Sequence, residues 1–275
     1  IHQETKMIQL AANLSMLFNE HTFLDRFEAA GKAGFRGVEY LFPYAYAPET
    51  IRATLNDAGL EQVLFNLPPG DWEAGERGLA SLPGREADFR DSVVEALRYA
   101  EMLNCPRVHA MAGLLPLGAD EETHKAHQAT YIDNLRFAAA EAAKIGREIL
   151  IEPINTRDMP GFFLSRQAHA MEVLAAVRAD NLRLQFDLYH CQIMDGDLTR
   201  HLERQFPTIG HVQIAGVPER HEPDVGEVYY PALLARLEEL GYRGWVGCEY
   251  RPAGETRDGL DWGNELGLSS RKSQP

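Results

Sequence analysis

Three acids and one amide in this 275-residue chain close runs of apolar residues. Glu152 follows Ile149-Leu150-Ile151, Asp187 closes Leu182-Arg183-Leu184-Gln185-Phe186, Gln213 sits near the end of Ile209-Gly210-His211-Val212-Gln213-Ile214, and Glu249 closes Gly244-Trp245-Val246-Gly247-Cys248. Apolar, largely β-branched runs read as strands buried on both faces, as in parallel sheets, and Pro153 limits pairing beyond Glu152. Neighbouring parallel strands lie about 4.8 Å apart. If these four are neighbours, three carboxylates and one amide oxygen converge on one spot. Three carboxylates share a dry pocket only with a cation, and an all-oxygen ligand set suits a hard ion. The pattern predicts one divalent metal, Mg²⁺ or Mn²⁺, held by Glu152, Asp187, Gln213 and Glu249. Any one of these acids alone reads equally well as a solvent-facing strand end or a helix cap; the argument rests on the fourfold repetition.

Elements that alternate along the chain must position these ends. Strand-like runs fall at 8–14, 37–40, 62–67, 107–111, 149–155, 182–187, 209–214 and 244–249. Helical periodicity falls at 23–33, 48–58, 86–104, 121–145, 167–179, 198–206 and 231–240. Gly34, Gly59 and Gly241 stand where helices need a C-terminal cap. A last helix over 258–266 is weakened by Gly259 and Gly263, with Gly267 just beyond it. Strict alternation of eight strands with about eight helices predicts an α/β fold, a single-domain (β/α)₈ TIM barrel, over an open doubly wound sheet. No GxGxxG or GxxxxGK[ST] motif supports nucleotide binding. Barrel active sites lie at the C-terminal ends of the strands, where these four side chains fall. The Gly- and Pro-rich stretch 68–85 is too long for a plain connection and is expected to work at the barrel mouth.

Composition narrows the partners. The formal net charge of −14 argues against nucleic acid, which needs a basic face, while leaving room for a small anion beside a local arginine. No apolar run is long enough to cross a membrane. Cys105, Cys191 and Cys248 make no metal or redox spacing and read as reduced thiols, placing the protein in the cytoplasm. Residues 1–6 are expected to be a polar expression remnant or disordered N-terminus, with Met7 a plausible start, 7–266 the barrel, and 267–275 a tail.

Beyond the strand ends, longer motifs carry a resemblance. Ile151-Glu152-Pro153-Ile154-Asn155 followed by Pro160-Gly161-Phe162, Asn66-Leu67-Pro68 leading into Gly70-Asp71-Trp72-Glu73-Ala74-Gly75-Glu76-Arg77-Gly78, Asp187-Leu188-Tyr189-His190, and Gly244 to Tyr250 resemble the hydroxypyruvate isomerase family of xylose-isomerase-like barrels. The resemblance runs from about Leu10 to Arg251, and the 70–78 loop is shared with the closely related 2-oxo-tetronate isomerases. It implies that Glu152, Asp187, Gln213 and Glu249 hold the metal and that Glu152 and Glu249 also move protons. It further points to self-association. Many sugar epimerases of the superfamily carry His where Gln213 stands, which makes the present site harder and favours Mg²⁺ or Mn²⁺ over zinc. The segment 221–227 departs from the family, whose members more often read Gly-Thr-Gly before the Glu.

The chemistry this implies moves a carbonyl along an α-hydroxy ketone through an enediolate. One acid removes a proton from carbon, a second returns it to the neighbour, and a Lewis acid steadies the oxygens. Around that centre the expected substrate contacts are His190, Arg220, Asp158, Asn66 and His109, with Trp72 closing over the substrate. Arg220, and after it Arg77 or Arg85, is expected to take the substrate carboxylate by bidentate pairing; Glu39 is a weaker candidate. Each has a plainer reading: a cap for His190, a solvated loop residue for the arginines, a turn for Asp158, a rim group for His109, a loop anchor for Trp72.

The expected function is therefore a metal-dependent isomerase of a small hydroxy-oxo acid, hydroxypyruvate to tartronate semialdehyde. The alternative is the longer 2-oxo-tetronate, with a ketose 3-epimerase further off and a sugar-acid binding barrel as the non-enzyme reading. An endonuclease of the same superfamily would need a His-rich zinc cluster and a basic surface.

Overall fold

In a computed structural model of the chain, residues 8–270 are described; the expectations for 1–6 and for 271–275 of the tail fall outside them. Eight strands close a barrel in the order in which they occur, each parallel to its neighbours. They are β1 (Gln9–Asn13), β2 (Gly37–Glu39), β3 (Glu61–Asn66), β4 (Arg107–His109), β5 (Glu148–Ile151), β6 (Leu182–Asp187), β7 (Ile209–Ile214) and β8 (Trp245–Cys248). The helices are α1 (Asp25–Lys32), α2 (Pro48–Ala58), α3 (Glu86–Met102), α4 (Glu121–Ala143), α5 (Gln167–Val177), α6 (Leu188–Met194), α7 (Leu198–Gln205) and α8 (Tyr230–Glu239). The barrel expected from the alternation is the barrel observed.

Local chemistry sets the boundaries. α2 starts on a proline at its first turn and stops at Gly59, whose φ of 65° is left-handed. At the start of α4, the Asp120 carboxylate accepts the Thr123 backbone N–H at 2.9 Å. Two elements differ from expectation. The segment predicted as a last helix forms two short 3₁₀ turns, Thr256–Gly259 and Asp261–Leu266, in keeping with its glycines. The helix α6 was not expected; it starts directly off β6 because Asp187 caps it, Oδ1 accepting the Tyr189 backbone N–H at 2.8 Å.

The main core lies between the strands and the surrounding helices. A second cluster, Ala11, Val63, Leu64 and Leu150 with half-buried Trp245 against it, fills the barrel interior. Gly37 makes room for it, since a Cβ there would meet Val63 at 2.7 Å and Trp245 at 2.9 Å. Two residues further along β1 and β2, on the same face by the period of two, the apolar filling gives way to Asn13 and Glu39. Polar groups then take over toward the mouth.

Candidate active site and metal centre

Register brings the predicted ends together. Asp187 pairs with Gln213 across β6 and β7, and Gln213 with Gly247 across β7 and β8, two residues before Glu249. Glu152 follows directly on β5. A cavity of about 230 Å³ opens here, lined by Glu152, Gln213, Glu249, His190, Arg220 and Asp158 among others.

The three acids and the amide are buried: Glu152, Asp187 and Gln213 are 4%, 1% and 2% exposed, and Glu249 is 9% exposed. Two of their oxygens, Glu152 Oε1 and Asp187 Oδ2, are among the buried polar atoms with no hydrogen-bond partner, and they differ from most of the others in carrying carboxylate charge. Both face His190 Nε2, at 3.7 and 3.5 Å. Arg220 is the nearby cation: its NH2 lies 3.6 Å from Glu249 Oε1 and 4.0 Å from Asp187 Oδ2, and its NH1 lies 3.6 Å from Asp158 Oδ2.

Electrostatics follow from this crowding. Burial first, then Glu249 and Asp187, push the Glu152 carboxyl well above the usual range. Burial lifts Asp187 to about 6 against the pull of Arg220, and lifts Glu249 to about 8 against the same pull. One guanidinium does not balance three carboxylates in a dry space. Orphaned oxygens, an oxygen-rich donor set and a surplus of negative charge together fit a hard divalent cation.

Glu152, Asp187 and His190 each offer a ligand atom within 4.8 Å of the others. The hydrogen bonding of His190 argues against its lone pair serving a metal. Its Nδ1 accepts the Asn155 backbone N–H at 3.2 Å and lies 2.7 Å from Asn155 Nδ2. The ring proton is therefore on Nε2, facing the carboxylates, and the histidine is a donor into the cavity. Burial holds its pKa well below the ordinary value, Arg220 adding to the effect.

The remaining candidates divide. Asn66 and His109 line the cavity, His109 with Nδ1 3.6 Å from Glu152 Oε2 and pushed down to about 3 by burial. Asp158 accepts from Tyr189 Oη at 2.7 Å and from Asn155 Nδ2 at 3.2 Å. In the mouth loop, the guanidinium of Arg77 lies 4.0 Å over the Trp72 ring and donates through NH1 to the Trp72 and Glu76 carbonyls; both residues line the cavity. Arg85 does not. Its guanidinium is taken by Glu76 and Asp88, and it lines a separate surface cleft with Leu82 and Pro83. The sequence placed Arg77 and Arg85 in one loop; Arg77 lines both the cavity and that cleft, Arg85 the cleft alone.

Three residues beyond the expected set join the site. Gln185 donates to Gln213 Oε1 at 2.7 Å, and its position two residues before Asp187 on one strand face was the available signal. Asn155 orients His190, and Asn13 donates to Glu39 at 3.1 Å. Glu39, the weaker candidate, proves to be the centre of a buried network. Arg220 adopts φ 59°, left-handed for a non-glycine residue, with its N–H and C=O held by Gly216 and Arg251, a conformation that recurs at functional sites.

Known proteins resemble this chain in sequence and fold. The family model for the xylose isomerase-like TIM barrel matches residues 27–266. A 2-oxo-tetronate isomerase of Cupriavidus necator is 58% identical over 256 residues, 93% of this chain and 97% of that protein. The hydroxypyruvate isomerase of Escherichia coli K12 is 47% identical, over 93% of this chain and 98% of its own. A crystal structure from Brucella melitensis, named as an AP endonuclease of family 2, superposes with a TM-score of 0.91 at 52% identity, covering 94% of this chain and 99% of that one.

Proposed function

The chain belongs to the xylose isomerase-like TIM barrels, among the hydroxypyruvate and 2-oxo-tetronate isomerases, and from that premise we propose that it is a metal-dependent isomerase of a small hydroxy-oxo acid. The observation that carries the reading is the trio of buried carboxylates, two with orphaned oxygens, at one cavity mouth. Glu152, Asp187, Gln213 and Glu249 would hold one Mg²⁺ or Mn²⁺. When bound, the ion supplies Lewis-acid stabilisation to the two neighbouring substrate oxygens.

The side chains do the rest. Whichever of Glu152 and Glu249 is ionised beside the bound substrate removes the proton from the hydroxyl-bearing carbon, leaving an enediolate. The other returns a proton to the adjacent carbon while the hydroxyl proton passes to the former carbonyl oxygen, so the carbonyl moves by one position with no net oxidation. His190 Nε2–H and the Arg220 guanidinium face the oxygens on which charge develops. Arg77, braced on Trp72, is aimed to pair with the substrate carboxylate.

We favour 2-oxo-tetronate over hydroxypyruvate, the substrate expected from the sequence, because the tetronate isomerase is 58% identical to this chain. The E. coli enzyme at 47% supports hydroxypyruvate as the second reading. A nuclease reading, prompted by the name of the Brucella structure, runs against the net charge of −14. Among the described residues no helix is long and apolar enough to cross a membrane, and three buried free thiols support a reducing compartment such as the cytoplasm.

Proton NMR in D₂O tests the proposal, with hydroxypyruvate and 2-oxo-tetronate supplied separately to metal-stripped protein before and after Mg²⁺ or Mn²⁺ is restored. Metal-dependent turnover with deuterium entering at the reacting carbon is expected. Absence of both turnover and exchange on either acid would move the assignment to ketose epimerisation.

A further inference from the structure

Glu39 has no N–H to give. It is 1% exposed on β2, and three donors converge on it. Gln213 Nε2 at 2.7 Å and Asn13 Nδ2 at 3.1 Å reach Oε1, and His211 Nε2 at 2.6 Å reaches Oε2. An ionised carboxylate accepts only. Gln213, whose side chain also bonds the Glu249 carboxyl, must therefore turn its amide nitrogen to Glu39 and present its oxygen toward Gln185, which lines the cavity. The neighbour agrees: Gln185 Nε2 donates to Gln213 Oε1 at 2.7 Å. Gln185 is an amide and can reverse, whereas Glu39 cannot, so the direction of the chain is set at Glu39.

Resting on the reading that Gln213 is a metal ligand through its oxygen, we propose that Glu39 is a positioning residue for the metal, locking the Gln213 amide with Oε1 toward the ion. The barrel makes a place for it. A Cβ on Gly247 would stand 2.3 Å from Glu39 Oε2 and 2.5 Å from Oε1, and Gly247 is the residue that pairs with Gln213 across β7 and β8. The arrangement also explains why position 213 holds an amide. A carboxylate there would meet Glu39 across 2.7 Å with no hydrogen between them.

Mn²⁺ titration of the metal-stripped whole protein, followed by the spin resonance of free Mn²⁺, tests this, with thermal melting as the check on folding. Gln213→Glu is expected to weaken Mn²⁺ binding by roughly tenfold or more, although it adds an anion to the site. Glu39→Gln combined with Gln213→Glu is expected to recover most of the loss, because residue 39 then donates to residue 213. Glu39→Asp keeps the charge but withdraws it from Gln213, and is expected to weaken binding several-fold even if Gln213→Glu does not fold. Wild-type or tighter affinity in Gln213→Glu, a double variant no better than that single one, or unchanged affinity in Glu39→Asp overturns the positioning role. Wild-type protein that takes up no Mn²⁺ removes the metal itself, and the positioning role with it.

Discussion

The Asn155 backbone N–H points at His190 Nδ1 from 3.2 Å, and so the ring proton of His190 faces the orphaned oxygens of Glu152 and Asp187. A histidine in this tautomer presents an N–H to the cavity and has no lone pair on Nε2 for a metal.

His190→Asn is accordingly expected to leave Mn²⁺ affinity within a few-fold of wild type while lowering kcat by about a hundredfold or more. Mn²⁺ titration beside steady-state turnover separates the two. Loss of affinity in step with turnover would make His190 a ligand after all.

Glu152→Gln and Glu249→Gln keep shape and volume in a buried site but cannot carry the proton. Each should fold, melt near the wild-type temperature and, at saturating Mn²⁺, turn over about 10²- to 10⁴-fold more slowly. Solvent deuterium exchange at the reacting carbon should vanish with turnover. A folded Glu249→Gln protein with full activity would remove that residue from the mechanism.

The raised acids predict how stability without metal responds to pH. Asp187 at about 6 and Glu249 at about 8, with Glu152 shifted the same way, bind protons more tightly folded than unfolded. Their stabilising contribution is complete below the ordinary carboxylate range near about 4 and is lost as pH rises through about 8. The melting temperature of the metal-stripped protein should fall across that window, and saturating Mn²⁺ should oppose the fall by stabilising the ionised site. Calorimetry on both forms checks it; a metal-free protein that gains stability from this site as pH rises would contradict the assignment.

Of the two mouth-loop arginines only Arg77 lines the cavity, Arg85 being held by Glu76 and Asp88. Arg77→Lys removes both the fork and the stacking on Trp72. KM for the acid substrate is expected to rise by roughly tenfold with a smaller change in kcat, while Arg85→Lys should leave KM unchanged. Equal effects from the two variants would put the anion site elsewhere.

Much of this site is legible along the chain because its signals are local. The β-branched runs, the glycine caps and the acid closing each run depend on residues a few positions apart, and the period of two puts Gln185 and Asp187 on one face without further information. Asp187 shows the limit: its carboxylate both caps α6 and faces His190 and Arg220. The sequence admits either role, and only the coordinates divide them between Oδ1 and Oδ2.

By itself, then, the sequence determined the alternating barrel, its catalytic rim and the residue types gathered there. Tertiary structure decided which of two neighbouring arginines reaches the cavity, which nitrogen of His190 bears the proton, and that Glu39 lies against Gln213. The reason is closure. Glu39 and Gln213 are separated by 174 positions, and no local pattern reports that β2 and β7 face each other across the interior until the sheet has closed on itself.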